Sequence, residues 1–527
     1  MSLNEMTNHF IDMKTTCLKT VMLIVTWCCT MGAWAYDFEV DGIYYRITST
    51  INKRVEVVSG DAQYSDNVTI PATVTKYGLT YQVSSIKGHA FYNCSGLTSI
   101  TIPEGVTSIG EYAFSDCSSL TSIVIPDGVT SIGEYAFYGC SSLTSIVIPD
   151  GVTSIEEGLF YNCSGLTSIT IPEGITSIGG AAFWGCSNLT SIVIHEGITS
   201  IGNYAFYSCS SLQSIEVAEG NANYRSIDGV LFDKNATTLL IFPGGKEGAY
   251  TIPDGVTTIG NYAFYPCNGP TSITIHEGIT FIEKSAFTDC SIQSFNVVEG
   301  NANYSSIDGV LFDKNATTLL VFPRRRKSAY TIPDGVTTIE DYAFYFCSEL
   351  TSITLSAGIT SIGGGAFWGC SSLPSITLPA GIKTIGGAAF WGCSNLQEIH
   401  SQAIIPPACE YAFTFMTEKP RTLYVPQGSL KAYKAADEWK DFENIVEEEY
   451  SGIEETGTDT MEQAVITTCG DGIVVENLPA GTAVTVYTLS GTVVHEGVAS
   501  GSRTELTLPA GHLYLVKCGS TVTKIAL

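Results

Sequence analysis

One phrase returns along this chain every 23 residues, and only a fold with that period can accommodate it. The stretch from Ala113-Phe114 through Cys117, Leu120, Ile123, Ile125, Pro126, Gly128, Val129 and Ile132 to Gly133 reappears 23 positions on, from Ala136-Phe137 to Ile155. Its cysteine recurs at Cys94, Cys117, Cys140, Cys163, Cys186 and Cys209, then at Cys267 and Cys290, then at Cys347, Cys370 and Cys393. Six consecutive members at one spacing define an array of like units rather than a domain with a single irregular core.

Within a unit, Leu120-x-x-Ile123-x-Ile125 alternates like a short strand with one buried face. Pro126-x-Gly128 follows as a turn, with φ set at the proline and free at the glycine. Val129-Thr130-Ser131-Ile132 is a second short β-branched run, and Ala113-Phe114-x-x-Cys117 reads as a single helical turn. Each unit is thus one coil with its apolar side chains pointing inward. A lone coil cannot offset the backbone entropy lost on ordering it, so stability must come from stacking. The expected fold is mostly β: a solenoid of 23-residue coils with short helical turns, occupying residues 84–413.

Two islands interrupt the period. Residues 219–243 recur almost verbatim at 299–323, an offset of 80, so a block of several coils was duplicated. In each, Asp-Gly-Val-Leu-Phe stands where Ala-Phe-x-x-Cys is expected, which reads as a variant coil with a longer outer loop. After the second island, Arg324-Arg325-Arg326-Lys327 is the one basic run and reads as a solvated loop, with protease sensitivity or docking as the sharper alternative. An open stack exposes apolar surface at both ends. Residues 36–83 read as an N-terminal β cap, and residues 414–446, with a helical stretch from Gly428 to Phe442, as the C-terminal cap. A polar acidic linker at 447–463 leads to residues 464–527, whose short alternating strands between glycine turns indicate a small β-sandwich.

Acidic residues outnumber basic ones by 52 to 25, a formal charge of −27, which argues against nucleic acid as a partner because phosphate binding needs clustered Lys and Arg. At the N-terminus, Lys14 and Lys19 precede an apolar run from Val21 to Val25 and beyond, and Ala33-Trp34-Ala35 supplies a small-x-small cleavage site. Residues 1–35 therefore read as a signal peptide, with Met13 as the true start. A lipid anchor at Cys28 or Cys29 is disfavoured by Trp27, and no run is long enough for a transmembrane helix.

The repeat lays like residues in rows, whereas a catalytic centre needs unlike residues converging. The cysteine row reads as buried free thiols acting as small hydrophobes, since stacked side chains run parallel and the row has an odd number of members. Cys469 and Cys518 could bridge within the terminal sandwich. His195 and His276 replace the turn proline and read as turn residues. Metalloprotease, nucleophile-elbow and phosphate-loop motifs are missing, and neither cofactor nor metal is expected. Glu104, Asp127, Asp150, Glu173, Glu196, Asp254, Glu277 and Asp334 form an acidic row beside the turn glycines, by default a solvated edge and alternatively a weak Ca²⁺ or basic-ligand site. The position after Ala-Phe carries Tyr92, Tyr138, Tyr161, Trp184, Tyr207, Tyr265, Tyr345, Trp368 and Trp391. An aromatic column on a rigid scaffold suits protein or glycan contact; alternatively the rings only cover the outer edge of the stack.

The phrase Leu-x-x-Ile-x-Ile-Pro-x-Gly-Val-Thr-Ser-Ile-Gly-x-x-Ala-Phe-x-x-Cys, over roughly residues 84–413, resembles the BspA-type leucine-rich repeats of Bacteroidetes surface proteins. That resemblance implies a secreted or surface-exposed, adhesin-like protein, not an enzyme, that engages host extracellular or bacterial surface proteins or glycans. A structural protein that self-associates is the alternative. The C-terminal segment is similar to the sorting domain of the type IX secretion system through Val486-Tyr487-Thr488-Leu489-Ser490-Gly491, Leu508-Pro509-Ala510-Gly511-His512-Leu513-Tyr514-Leu515-Val516-Lys517 and Lys524-Ile525. It departs at Thr488, where Asp is common, and in ending on Ala526-Leu527. Cell-surface attachment after sorting is what this second likeness implies.

Overall fold

The computed structural model describes residues 36–326, 329–413 and 421–448, and strands with short flanks between 465 and 526. The chain divides into one unit ending at Glu448 and a second from Glu449 to Leu527.

In the first unit most coils give two short strands, which pair in parallel with their counterparts one coil away, while the segments at Val147 and Thr170 meet only through a single parallel bridge. In one ladder Ser99 faces Ser122 and Ile100 faces Ile123, and further along Ser191–Ile194 pairs with Ser214–Val217. In the other, Ser131 faces Ser108 and Ile132 faces Ile109, and in a second stretch of the same register Ser154 faces Ser177 and Ser177 faces Ser200. A strict period makes the identical residue the natural partner, and one face of every strand must stay inside, so slippage is forbidden. Threonines beside the strands face out and bond the coil before: Thr176 Oγ1 donates to the Thr153 carbonyl at 3.2 Å and Thr199 Oγ1 to that of Thr176 at 3.1 Å. Inside, Leu, Ile, Phe, Ala and Cys form a core of three successive segments from which solvent is almost wholly excluded.

The Ala-Phe-x-x-Cys segment turns, but not as a helix. Alternate N–H groups bond three residues back (Ala113 to Gly110, Ser115 to Tyr112, Cys117 to Phe114), and the others reach the next coil (Tyr112 to Glu134, Phe114 to Ala136, Asp116 to Tyr138). Tyr112 and Asp116 are left-handed, with φ of 51° and 59°, which breaks any helical run. Neighbouring carbonyls compete for half the donors, and linked β-turns satisfy both coils.

The islands also differ from the expectation. Val230–Asp233 is the middle strand of an antiparallel insertion between Tyr224–Ile227 and Thr238–Ile241. The last strand rejoins the parallel ladder, Thr238 facing Thr258. Phe242, not Phe232, takes the repeat's phenylalanine position: its N–H donates to the Ala263 carbonyl at 2.7 Å and its ring stacks on Phe264 at 4.9 Å. Phe322 does the same against Ala343 and Phe344 in the second island. The inserted middle strand is buried on both faces. Leu231 packs into the preceding core, Val230 and Phe232 into the following one, and Leu311 against Val310 and Phe312 repeat the division. This is why Val-Leu-Phe is apolar without alternation.

Each seam is closed by side chains. Asn221 and Asn301 are fully buried. Asn301 Nδ2 donates to the carbonyls of His276 and Ile279 at 2.8 and 3.0 Å, and its Oδ1 accepts from the N–H groups of Asn303 and Tyr304, both at 2.8 Å. The hydroxyl of Tyr304 accepts from Ile282 N–H at 2.9 Å, and Tyr224 serves Ile201 likewise at 3.0 Å. A phenol thus replaces the backbone carbonyl that the interrupted ladder lacks. Tyr304→Phe is expected to lower unfolding free energy by about 1 kcal/mol in urea titrations, the net worth of one such bond.

The basic run is a surface turn with Arg325 exposed, but its arginines are engaged by neighbouring coils. Arg324 pairs with Asp289 and its Nε donates to the Phe346 carbonyl at 3.1 Å. Arg325 bonds the Asn268 carbonyl and Arg326 that of Asp308, with Arg326 also 5.2 Å from the Tyr330 ring centroid. Lys327 lies outside the described residues.

At the N-terminal end, strands Phe38–Val40, Ile43–Ser49 and Arg54–Val58 form an antiparallel meander that continues, through Leu79–Ile86, into the ladder at Ser108. At the other end Thr422–Pro426 and Asn444–Glu448 extend the ladder, joined by a short helix, Leu430–Ala435. Tyr433 and Trp439 close the core there, the hydroxyl of Tyr433 donating to Ala403 O at 2.8 Å and the indole of Trp439 to Pro407 O at 2.9 Å. Residues 414–420 of this cap and the proposed signal peptide lie outside the described residues, as does the expected linker from residue 449 on.

The second unit has a three-stranded antiparallel sheet (Val465–Cys469, Gly472–Glu476, Arg503–Thr507) and a four-stranded one (Val493–Val498, Ala483–Thr488, Leu513–Cys518, Thr521–Ala526). Ile473, Val475, Val484, Val486 and Val516 are buried. The side chains of Cys469 and Cys518 lie outside the described residues.

Candidate binding face

The turn before each cysteine sends Phe inward and the next residue outward. Outward rings one coil apart stack: Tyr138 on Tyr161 at 5.0 Å between centroids, Tyr161 on Trp184 at 5.3 Å and Trp184 on Tyr207 at 3.6 Å. Across the first island Tyr207 still meets Tyr265 at 4.2 Å. A second group joins Tyr345 to Trp368 at 5.9 Å and Trp368 to Trp391 at 4.3 Å. Tyr92, 41% exposed, lies against His89 at 5.6 Å and has no ring to meet at its position in the next coil, where the buried Ser115 stands. Thr288 opens a gap between Tyr265 and Tyr345. The nine predicted aromatics therefore fall into three groups rather than one column.

A parallel row was not foreseen. His89, Tyr112 and Tyr135 stack at 5.1 and 5.0 Å, and Tyr204 meets Tyr262 at 5.0 Å. These rings meet the first row edge-on: Tyr204 with Tyr207 at 6.0 Å, Tyr262 with Tyr265 at 5.6 Å, Tyr342 with Tyr345 at 5.6 Å. The signal was present as tyrosine two positions before the ladder Phe at 112, 135, 204, 262, 342 and 411. All six are left-handed, with φ between 51° and 61°, a conformation that costs a bulky residue energy. Tyr135 lies across Gly158 and Tyr342 across Gly365, where a Cβ would come within 2.1 and 2.5 Å of the ring.

Because the rings are stacked, their faces cover one another and mainly edges and hydroxyls reach solvent. Burial raises the hydroxyl pKa at Tyr161 and pushes it up to about 12 at Tyr342, so both stay neutral donors and acceptors across physiological pH. The ridge is apolar in its body and polar at its tips, as in the central residues of many interfaces.

The other rows are placed as follows. Glu104, Asp127, Asp150, Glu173, Glu196, Asp254, Glu277 and Asp334 are all exposed. Among the described residues no group of three or more His, Cys, Asp or Glu is arranged to hold a metal. His195 and His276 sit in turns, where Nδ1 accepts from the N–H of Gly197 at 3.1 Å and of Gly278 at 3.0 Å. The cysteine column lies wholly inside as free thiols, and Cys409 is a twelfth, partly buried. Burial pushes the thiols of Cys209, Cys347 and Cys393 up to about 12. With the thiolate suppressed and access closed, the ladder thiols of reduced protein are expected to react with a thiol reagent such as DTNB only on unfolding; rapid reaction in native buffer would contradict this burial.

The profile of the BspA type leucine rich repeat region (6 copies) matches residues 71–190, 131–247, 241–325 and 321–433. A leucine rich cell surface protein of Faecalibacterium prausnitzii A2-165 is 28% identical over 75% of this chain and 96% of its own, with a TM-score of 0.43. A leucine-rich repeat protein of Bacteroides ovatus is 27% identical over 79% and 100%, with a TM-score of 0.40. The pneumococcal vaccine antigen PcpA is 21% identical over 79% and 99%, with a TM-score of 0.47. No curated protein matches the chain significantly. With the repeat profile spanning residues 71–433, the chain belongs to the BspA-type leucine-rich repeat proteins.

Proposed function

We propose that this is an exported, cell-surface binding protein that holds an extracellular protein or glycan along its aromatic ridge. The observation carrying this reading is the double row of half-buried Tyr and Trp on one edge of a rigid stack, from Tyr138 to Tyr265 and again from Tyr345 to Trp391. Residues 1–35 would direct export, and residues 464–527 would act as a type IX-like sorting domain that leaves the protein on the surface. The description of the Faecalibacterium relative as a cell surface protein supports that placement. Self-association is a second reading, favoured by Val124, Val147 and Val193, which stand 74%, 74% and 57% exposed along one ladder.

The test is binding of the purified full chain to immobilised extracellular-matrix proteins and glycans, beside a Trp184→Ala/Trp368→Ala/Trp391→Ala variant checked for fold by circular dichroism. Saturable binding weakened more than about tenfold in the variant is expected if these rings are central contacts. Absence of any binding, with concentration-dependent oligomers instead, would replace this reading by the second.

A further inference from the structure

Most members of the thiol column make the same contact, and one step brings two thiols together. At Cys117, Cys140, Cys163, Cys186, Cys209, Cys370 and Cys393 the Sγ–H donates to the carbonyl of the phenylalanine one coil back, at 3.0–3.2 Å. Cys94 and Cys347, the first members after a cap or an island, approach Tyr92 O and Tyr345 O of their own coils. Cys290 instead has its Sγ 2.6 Å from that of Cys267. That is far inside van der Waals contact and little beyond the roughly 2.05 Å covalent length.

The local sequence explains why the two converge here. In the repeat, a leucine stands three residues after the cysteine; Pro270 takes that place after Cys267, and after Cys290 one residue is missing, so Ile292 follows at two. Elsewhere the serine after the cysteine bonds within its own coil, as Ser141 N–H to Gly139 O at 2.8 Å and Ser371 to Gly369 at 2.8 Å. Ser291 N–H reaches the Cys267 carbonyl of the preceding coil instead, at 2.8 Å. A backbone bond thus draws together the two segments that carry the thiols. Both side chains lie in the core segment between the two islands, the one with the fewest regular coils.

We propose that Cys267 and Cys290 form a disulfide as the chain folds, a covalent staple between successive coils of the middle segment. The oxidant is a disulfide of the glutathione or dithiol-oxidase class. One cysteine thiolate attacks it and releases one reduced thiol; the second cysteine thiolate then attacks the mixed disulfide at the protein sulfur and releases the other. Each cysteine proton passes through solvent to one of the two expelled thiolates, so the oxidant's disulfide is reduced to two thiols as the protein's disulfide forms. The exchange occurs before the coils close, because the finished core excludes the oxidant. An oxidising setting rests on the export reading above; the chemistry of the pair does not.

The test refolds the reduced full chain in a mixed glutathione buffer, alkylates it under denaturing conditions and maps the bridge by mass spectrometry of non-reduced fragments. The expected result is a Cys267–Cys290 link, with the other ladder cysteines alkylated. The thermal midpoint should fall on reduction, and Cys267→Ser should abolish that shift; if this variant fails to fold, Cys290→Ala serves. Complete alkylation of both residues, or links spread equally over other neighbouring pairs such as Cys117–Cys140, would overturn the proposal. Failure here leaves ligand binding untouched, and failure of the binding array leaves the bridge untouched.

Discussion

Asn301→Ala should cost about 3–6 kcal/mol of stability, an unusually large loss for removing a polar side chain, because four backbone groups lose their partners at once. The amide spends both donors on the His276 and Ile279 carbonyls and its oxygen on the Asn303 and Tyr304 N–H groups. The residue is fully buried, so water cannot readily take over these bonds. Asp at this position would keep the two N–H contacts and lose both donors, and it would bury a charge, so it should be no better than Ala. The same substitution at Asn221, with the same four bonds around His195, Ile198, Asn223 and Tyr224, should act alike at the first seam. The seam is where the antiparallel insertion divides the ladder, so loss of the amide should also uncouple the core segments. Urea unfolding followed by circular dichroism should change from one transition to two, with early proteolytic cleavage near residue 301. A single transition shifted by less than about 1 kcal/mol would mean that the amide is dispensable.

How much of this was legible depends on what periodicity encodes. The 23-residue interval determines the parallel register, because Ser131 can face only Ser108 once both copies must bury the following isoleucine. It says nothing of a segment that pairs antiparallel with itself. The islands were visible as duplicates, yet Asp-Gly-Val-Leu-Phe reads in sequence as standing for Ala-Phe-x-x-Cys, whereas the ladder phenylalanine is Phe242, ten residues further on than Phe232. The continuous Val230-Leu231-Phe232 run carried the missing information, that of a strand buried on both faces. Asn221 and Asn301 do not stand out within Asn-Ala-Asn-Tyr, because nothing local reveals that a coil one period earlier offers its carbonyls. The helical turn failed for a similar reason: hydrogen bonds to the next coil, invisible in a single unit, outcompete bonds within it. On the candidate face the nine aromatics were found by position, but their division into groups depends on Ser115 and Thr288, which stand where a ring would continue the row. The second tyrosine row went unread because left-handed tyrosine is not a pattern that propensity favours.

The largest purely apolar effect should come from the phenylalanine column, and Phe160→Ala tests it where the stack is deepest. The ring is fully buried between Phe137 at 5.7 Å and Phe183 at 5.5 Å, nearly parallel to the first. Removing it deletes a large side chain from the core and ends two stacking contacts, an expected loss of about 4–6 kcal/mol. Collapse cannot recover much of this. The coils on either side are fixed by in-register ladders at Ser154–Ile155 and Ser177–Ile178, so a neighbour can fill the cavity only by breaking backbone bonds. At the end of the column Phe413 is only half buried and rests on Trp439 and Phe442 at 5.0 and 5.2 Å, so Phe413→Ala should cost clearly less. Comparing the two in urea titrations separates a cavity effect, which scales with burial, from any special role of ring stacking, which both share. Equal losses would mean that the rings act chiefly as stacked pairs. A loss at Phe160 several times larger would mean that each coil is held by the core it completes, which is what an array without independent coils requires.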